Sequence, residues 1–351
     1  MYKRVIRLEA RRERTGEPFF VTEELRVHCE MEISLAQQLT QAKVTIYNLS
    51  RETSNALCYG DHEAGSVGTA ESLRRASKVY IRLYAGYEDE RLNTGQLPQL
   101  LEGIVMNASA QRRLPNHLTH LYVLPLSSAL LRQTFAPFTA TPDMTLKTAL
   151  TKICRLIGFS SISFDVSEKL LSQSVRGKTF IAEPDAYHLL HQLGKTYGFT
   201  FSQRTSGIGF YPKLRRNNSV FMQNEFNHLQ ENGQPYVVNP LLLNGVPTVG
   251  IMTITVPIIL NGRIFPGWVI DVSQIQGTRG DLTLPSQGLV DYTSMGEPLY
   301  YQDDIAKYAV FRKYMAERVV HKLDNYSDLW STVIVGIIPT VGDFGGGEQR
   351  G

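Results

Sequence analysis

The sequence predicts an α+β fold that is predominantly β, with two antiparallel β-barrel domains and a small α/β domain between them. Three observations carry the β, α/β, β order of that expectation. Residues 25–33 and 78–85 alternate apolar and polar with period two, the mark of strands with one face on a core. Residues 142–203 switch to apolar spacings of three and four, the helical period. Residues 251–337 return to β-rich runs. The expected division is an N-terminal barrel over 1–125, an α/β insert with two helices over 126–220, a C-terminal barrel over 221–340 and a flexible glycine-rich tail over 341–351.

In the first third, Leu25, Val27, Cys29, Met31 and Ile33 share one face, with Arg26, His28, Glu30 and Glu32 on the other. Ala42, Val44 and Ile46 alternate with Lys43, Thr45 and Tyr47. Val79, Ile81, Leu83 and Ala85 alternate with Lys78, Tyr80, Arg82 and Tyr84. Further strands are expected over 100–108 and 118–124, separated by the polar stretch 111–117. Between them, 51–60 reads as one short helix and 61–69 as a glycine-bearing loop. Several strands without a long helical pattern predict a barrel or sandwich.

The middle third opens a helix at Pro142-Asp143, with Met144, Leu146, Ala149, Leu150, Ile153, Leu156 and Ile157 at helical spacing and a stop at Gly158. A second unit repeats the plan, from Pro184-Asp185 through Leu189, Leu190 and Leu193 to Gly198. Each Asp is expected to cap its helix. Each helix ends in Gly-Phe and leads into an expected strand, 161–165 and 200–203, which reads as a weak internal duplication. In the last third, strands are expected over 251–256, 267–272, 316–323 and 329–337. The polar stretch 276–304 reads as a long surface loop.

Composition bounds the function. At 351 residues, with 42% hydrophobic and 20% charged, the chain can build two or three cored domains. Three distant cysteines (Cys29, Cys58, Cys154) exclude a disulfide-stapled scaffold and argue against a zinc site. The longest apolar runs, 251–260 and 333–341, are broken by threonine, proline or glycine and fall short of the roughly 20 residues that span a bilayer. The first residues carry charges where a signal peptide needs its apolar stretch, so the chain is expected to stay on the cytoplasmic side or to leave by something other than ordinary secretion. A net charge of +3 is too small to announce a nucleic-acid binder. Residues 1–14 hold six basic groups (Lys3, Arg4, Arg7, Arg11, Arg12, Arg14) against Glu9 and Glu13, read as a solvated or partner-facing strand in preference to a phosphate-binding one.

No nucleophile, phosphate-loop, zinc-protease or dinucleotide motif is present, and no cofactor is expected. His188 and His191 have metal-ligand spacing, but no companion acid or cysteine follows at ligand distance, and His117 and His120 are no stronger. Glu297 with Asp303 and Asp304 is the place where a carboxylate pair for glycoside cleavage would lie. No catalytic or metal residue is assigned.

Two stretches carry a more specific likeness. AKVTIYNLS (42–50) followed by Arg51-Glu52-Thr53, then YIRLYAGY (80–87), then Leu101-Glu102-Gly103-Ile104-Val105, resembles the N-terminal barrel of bacteriophage tail hub proteins. Ser50 is placed to cap the following helix, Gly86 to permit a tight bend, and Gly103 to relieve curvature. Gly245-Val246-Pro247, Pro257 to Asn261, Phe265-Pro266-Gly267 and the closing AERVVHKLDN (316–325) with Trp330-Ser331-Thr332 resemble the second barrel of that family. Asp324-Asn325 with Ser327 reads as a hairpin turn, and Trp330 as a cover for one barrel end. The sequence departs from the family's pattern in the long loop at 61–77 and in Lys322-Leu323, where a glycine often precedes the Asp.

The resemblance implies a structural protein, not an enzyme. It would form a homotrimer that adapts a sixfold tail tube to a threefold central spike and encloses a passage for DNA without binding it specifically. Implied partners are the tail tube or distal tail protein, the spike protein, a tape measure protein and baseplate wedge proteins. Implied subunit contacts are Tyr80, Arg82, Tyr84, Trp330 and Thr332. The implied location is the virion tail tip or baseplate, assembled in the host cytoplasm. The alternatives are a murein-degrading enzyme of the tail tip, centred on the acidic loop at 291–304, the spike base of a contractile secretion or bacteriocin particle, and a nucleic-acid binder built on the basic N-terminus.

Overall fold

A computed structural model of the chain describes residues 3–35, 42–59, 78–204, 207–212, 235–245, 247–249, 253–272, 274–275, 290–292, 298–300 and 313–337. The first third forms strands β1 (Arg4–Arg11), β2 (Pro18–Thr22), β3 (Val27–Ser34) and β4 (Ala42–Tyr47), the helix Arg51–Tyr59, then β5 (Tyr80–Tyr87), the helix Glu88–Thr94, β6 (Gln99–Arg113) and β7 (Asn116–Pro125). The fold is predominantly β, as expected.

The alternation predicted the faces. Val27, Cys29, Met31 and Ile33 are buried along β3, as are Val79 just before β5 and Ile81, Leu83 and Ala85 along it. Ser50 caps the first helix through its Oγ, which accepts from the Thr53 N–H at 3.0 Å. β6 and β7 run longer than expected and pair down to Arg113 opposite Asn116, so the polar stretch 111–117 is the end of a hairpin. The helix Glu88–Thr94 was not foreseen. It ends on Gly95 at φ +73, the left-handed conformation that glycine adopts without strain. Gly86 lies inside β5 and makes no bend; a Cβ there would meet Glu90 and Pro98 at 2.9 and 3.1 Å.

Gly103 has a different necessity. It lies between Ile81 on β5 and Pro125 on β7. A Cβ there would sit 2.5 Å from the Leu124 carbonyl oxygen and 2.6 Å from a Val123 methyl group. Because the nearer obstacle is backbone, rotamer changes offer no escape. Gly103→Ala is expected to cost about 1–3 kcal/mol, seen as a lower urea midpoint with an unchanged slope.

The middle third comprises the helix Leu126–Leu131, β8 (Phe138–Thr139), the helix Leu146–Leu156, β9 (Ser161–Phe164), the helix Glu168–Leu171, β10 (Thr179–Phe180), the helix Ala186–Tyr197, β11 (Phe199–Gln203) and β12 (Gly207–Pro212). Its core is its own, drawn wholly from Leu131 to Phe210. Asp185 caps the second long helix as expected, accepting from the His188 N–H at 2.9 Å. At the first, Thr145 caps in place of Asp143, its Oγ1 accepting from the Thr148 N–H at 3.3 Å. The helix starts two residues later than Pro142-Asp143 suggested, and the nearer hydroxyl takes the cap. β12 pairs parallel with β9 and antiparallel with β11, so the strands of the two repeats flank one shared partner.

The last third contains β13 (Tyr236–Val237), a 3-10 turn at Pro240–Leu242, β14 (Thr248–Val249), β15 (Thr253–Ile259), β16 (Val269–Asp271), β17 (Val290–Tyr292), β18 (Pro298–Tyr300), β19 (Lys313–Asp324) and β20 (Trp330–Ile337). β17 and β18 form a separate antiparallel pair within the stretch expected to be loop. Residues 61–77, Glu297, Asp303, Asp304 and 341–351 lie outside the described residues.

The first and last thirds share one sheet. Among the described residues thirteen strands connect, along the path β14-β15-β20-β19-β3-β4-β7-β6-β5-β1-β2 with β16 and β13 attached through β19. The path has open ends at β2 and β14 and does not close on itself. The seam is the antiparallel pairing of β19 with β3, running from Arg318 opposite Ser34 to Asp324 opposite His28. Leu260, Leu323 and Trp330 from the last third are buried in the core of the first. A separate core under β15, β16, β19 and β20 is built around Ile254, Val256, Ile258, Ile270 and Ile334.

Candidate functional site: two faces of the shared sheet

The first candidate surface is the outer face of the sheet where its two halves meet. Side chains alternate across each strand, so register defines continuous rows. One row runs Tyr122 on β7, Lys43 on β4, Glu30 on β3, Lys322 on β19 and Ser331 on β20. The next runs Glu32, Val320, Val333 and Pro257. A third runs Ser34, Arg318, Val335 and Thr255. All of these but Ser331, Pro257 and Ser34 line a groove of about 550 Å³. Its charges nearly cancel: Lys43, Arg318 and Lys322 stand against Glu30 and Glu32, with Arg318 3.5 Å from Glu32.

One end of this face is clamped by the turn that the sequence marked at Asp324-Asn325. Arg26 donates to both Asp324 oxygens at 2.8–3.2 Å. Asn325 accepts from the Val27 N–H at 2.9 Å and donates to the Leu25 carbonyl at 2.9 Å. Burial alone would raise the Asp324 pKa, but the Arg26 bonds and the Tyr326 N–H outweigh it and hold the carboxyl below the usual range. Sequence reading found the turn but not its partner, because nothing local links Arg26 to a residue about 300 positions away.

The second candidate surface is the outer face of β1, β5 and β6. Register sets Glu9 beside Arg82 and Arg82 beside Glu102. Arg7 and Arg11 flank Glu9 at 2.8 and 2.7 Å, and Arg82 and Arg14 hold Glu102 at 3.0 and 3.5 Å. Glu9 is 4% and Glu102 5% exposed. Burial raises the Glu9 pKa, but the hydrogen bond from Arg11 and the charge of Arg7 prevail and lower it. Much of the basic N-terminal cluster is therefore engaged inside the chain. Arg4 donates to the Ser327 carbonyl at 2.7 Å and lies over the Trp330 ring, and Arg12 lies over Phe19.

The five residues expected at subunit contacts separate into two groups. Tyr80, Arg82 and Tyr84 lie half-buried on the outer face of β5, beside the charged ladder. Trp330 and Thr332 face inward, at 2% and 0% exposure. The Trp330 ring meets Tyr87 edge-on at 6.2 Å. The Thr332 hydroxyl lies 3.0 Å from His321 Nδ1 and accepts from the Asn261 N–H at 2.9 Å. Any part these two have in subunit contact acts through the strand they fix.

No chemistry converges elsewhere among the described residues. No group of three or more His, Cys, Asp or Glu stands together there as a metal cage. His188 pairs with its own capping Asp185 at 2.7 Å, and His120 Nδ1 lies 3.0 Å from the Thr45 hydroxyl. Burial pushes the thiols of Cys29 and Cys154 up to about 12, which keeps them protonated and unreactive. No helix among the described residues is long and apolar enough to cross a membrane.

No family model matches the chain, and no curated protein matches it in sequence. Solved structures do match. The tail protein from Neisseria meningitidis MC58 superposes with a TM-score of 0.50 at 7% identity, over 96% of this chain and 97% of that one. The 43 kDa tail protein of prophage MuSo2 from Shewanella oneidensis gives 0.50 at 8% identity, over 96% and 98%. An E. coli component of the type VI secretion system gives 0.45 at 11% identity, over 95% and 77%. The first two superpose over nearly the whole of both chains, so this chain has the fold of these two tail proteins.

Proposed function

We propose that the chain is the structural hub of a phage tail, a homotrimer that joins a sixfold tube to a threefold spike and encloses a passage for DNA. The observation that carries this reading is the seam within the sheet. Two antiparallel four-strand runs, β6-β7-β4-β3 and β19-β20-β15-β14, meet edge to edge at β3 and β19. Two comparable runs per chain become six in a trimer, which presents near-sixfold symmetry on a threefold assembly. In this reading each run belongs to one tube-like barrel, 1–125 and 221–340, with the α/β domain 126–220 inserted between them and 341–351 as a tail. The open edges close against neighbouring subunits, which removes unpaired strands from the assembled ring.

The groove is then the wall of the passage. Its paired charges suit a polyanion that must slide through, since an excess of cations would hold phosphates in place. The face of Tyr80, Arg82 and Tyr84 is the candidate subunit or neighbour contact, and Trp330 and Thr332 set the strand that supports the wall. The tube or distal tail protein, the spike, a tape measure protein and wedge proteins are the proposed neighbours in the virion. The role in this reading is structural and non-enzymatic, which the fold shared with the two tail proteins supports.

Light scattering tests the assembly. The purified chain is expected near three times 39.5 kDa, with threefold rings in negative stain. A stable dimer without rings would overturn the hub reading, as would clearing of cell-wall suspensions by the pure protein.

A further inference from the structure

We infer that the middle third is seated on the last third through the second face of its own sheet, and that the Tyr211 ring is what holds it there. β12 is buried at all six positions, so it is covered on both faces. One face, with Ile208 and Phe210, belongs to the middle core. Alternation puts Gly207, Gly209 and Tyr211 on the other, and register sets Ser202 of β11 and Ser163 of β9 on either side of Gly209. Small side chains floor that face, which lets another stretch of backbone come close.

The backbone that comes close is the turn over 265–268 of the last third. Ser202 Oγ donates to the Pro266 carbonyl at 3.0 Å in a buried hydrogen bond. A Cβ on Gly267 would lie 2.4 Å from the Tyr211 ring, so ring and backbone touch there. Gly267 stands at φ +95, and its N–H donates to the Ala316 carbonyl of β19 at 2.7 Å, which ties the seat to the shared sheet. On its other side the tyrosine folds back over Gly209, whose Cβ would lie 2.5 Å from the phenolic oxygen. That oxygen accepts from Arg204 at 2.7 Å, and Arg204 also reaches Asp165 at 3.3 Å. Tyr211 is thus fixed at both ring and hydroxyl and is 1% exposed. Units within one chain move against each other by default. A ring closed between two glycine backbones opposes that motion, so the middle third and the shared sheet move as one body. The contact lies within one subunit and does not rest on the chain being a trimer.

The chain carries its own two reporters. Both tryptophans, Trp268 and Trp330, lie in the last third, and the longest described helices, Leu146–Leu156 and Ala186–Tyr197, lie in the middle third. Urea unfolding of the full chain, followed by tryptophan fluorescence and by the helical circular dichroism signal, therefore reads the two parts separately. In the wild type both curves are expected to share one midpoint, as parts that unfold cooperatively do. Tyr211→Ala is expected to separate the midpoints by at least about 0.5 M urea, with each curve still cooperative. Tyr211→Phe keeps the ring and is expected to leave the curves coincident. Gly267→Ala, which drives a methyl group into the ring from the opposite side, serves if Tyr211→Ala folds poorly. Separate midpoints in the wild type, one shared midpoint in Tyr211→Ala however far it falls, or equal separation in Tyr211→Phe would overturn the proposal. Both signals are read on the same sample, so failure of the hub reading leaves the comparison intact.

Discussion

Trp330→Ala is expected to destabilise the protein by about 3–5 kcal/mol, the range for removing a large buried aromatic side chain. Trp330 enters the sequence on β20 of the last third, yet it is buried in the core of the first, alongside Leu83, Leu101 and Leu323. Its ring meets Tyr87 edge-on at 6.2 Å, and the Arg4 guanidinium lies 5.6 Å from its centroid. Removing it opens a cavity at the joint between the halves, so both halves should unfold together at lower denaturant. Trp330→Phe keeps one aromatic ring in the core and gives up the second ring of the indole with its buried Nε1, which has no hydrogen-bond partner among the described residues. The phenylalanine variant should therefore lose markedly less. Urea unfolding followed by circular dichroism measures both, and equal losses would mean that ring packing is not what holds the joint.

The second large effect is a loss of stability in mild acid, traceable to His321. This side chain is fully buried on β19, with Thr332 as its neighbour at 3.0 Å. Burial lowers its pKa to about 4. The direction of the linkage follows from that depression. Above the unfolded value of about 6.5 both states are neutral at this residue and stability is full. As pH falls below 6.5 the unfolded chain takes up a proton that the folded chain refuses until about pH 4. Stability then falls by up to about 1.4 kcal/mol per pH unit, roughly 3 kcal/mol over the whole window. His321→Gln retains a donor and acceptor for Thr332 and removes the titration. The difference in unfolding free energy between wild type and variant should change by about 2 kcal/mol between pH 6.5 and pH 5. A flat difference would show that His321 does not carry the acid sensitivity.

Much of the fold was legible because strands with one buried face write their period into the chain. β3, β5 and the two helix-Gly-Phe units are legible from apolar spacing alone, and the second helix also from its capping Asp185. The helix Glu88–Thr94 was missed because its residues, Glu-Asp-Glu-Arg-Leu-Asn-Thr, bury nothing and leave no apolar stripe. The cap at Thr145 was missed because a Pro-Asp pair and a Thr two residues later satisfy the same rule. The candidate surfaces were legible only as strands. Tyr80, Arg82 and Tyr84 were correctly set on one side of β5, but the carboxylates beneath them, Glu9 and Glu102, come from strands far apart in sequence.

The sequence by itself determined that β20 has two rows, Trp330-Thr332-Ile334 and Ser331-Val333-Val335-Ile337. It did not determine which row is inside. Hydrophobicity favours the valines for the core, yet they lie on the outer face while Trp330 and Thr332 are buried. That choice belongs to the tertiary structure. Pairing β20 between β19 and β15 in one register sets Thr332 against His321 and Ile258, and Trp330 against Leu323. A shift of one residue would turn every side chain to the opposite face. Period is a property of one strand and survives in its sequence. Face and register are properties of a pair, and the partners here, β3 and β19, lie nearly 300 residues apart.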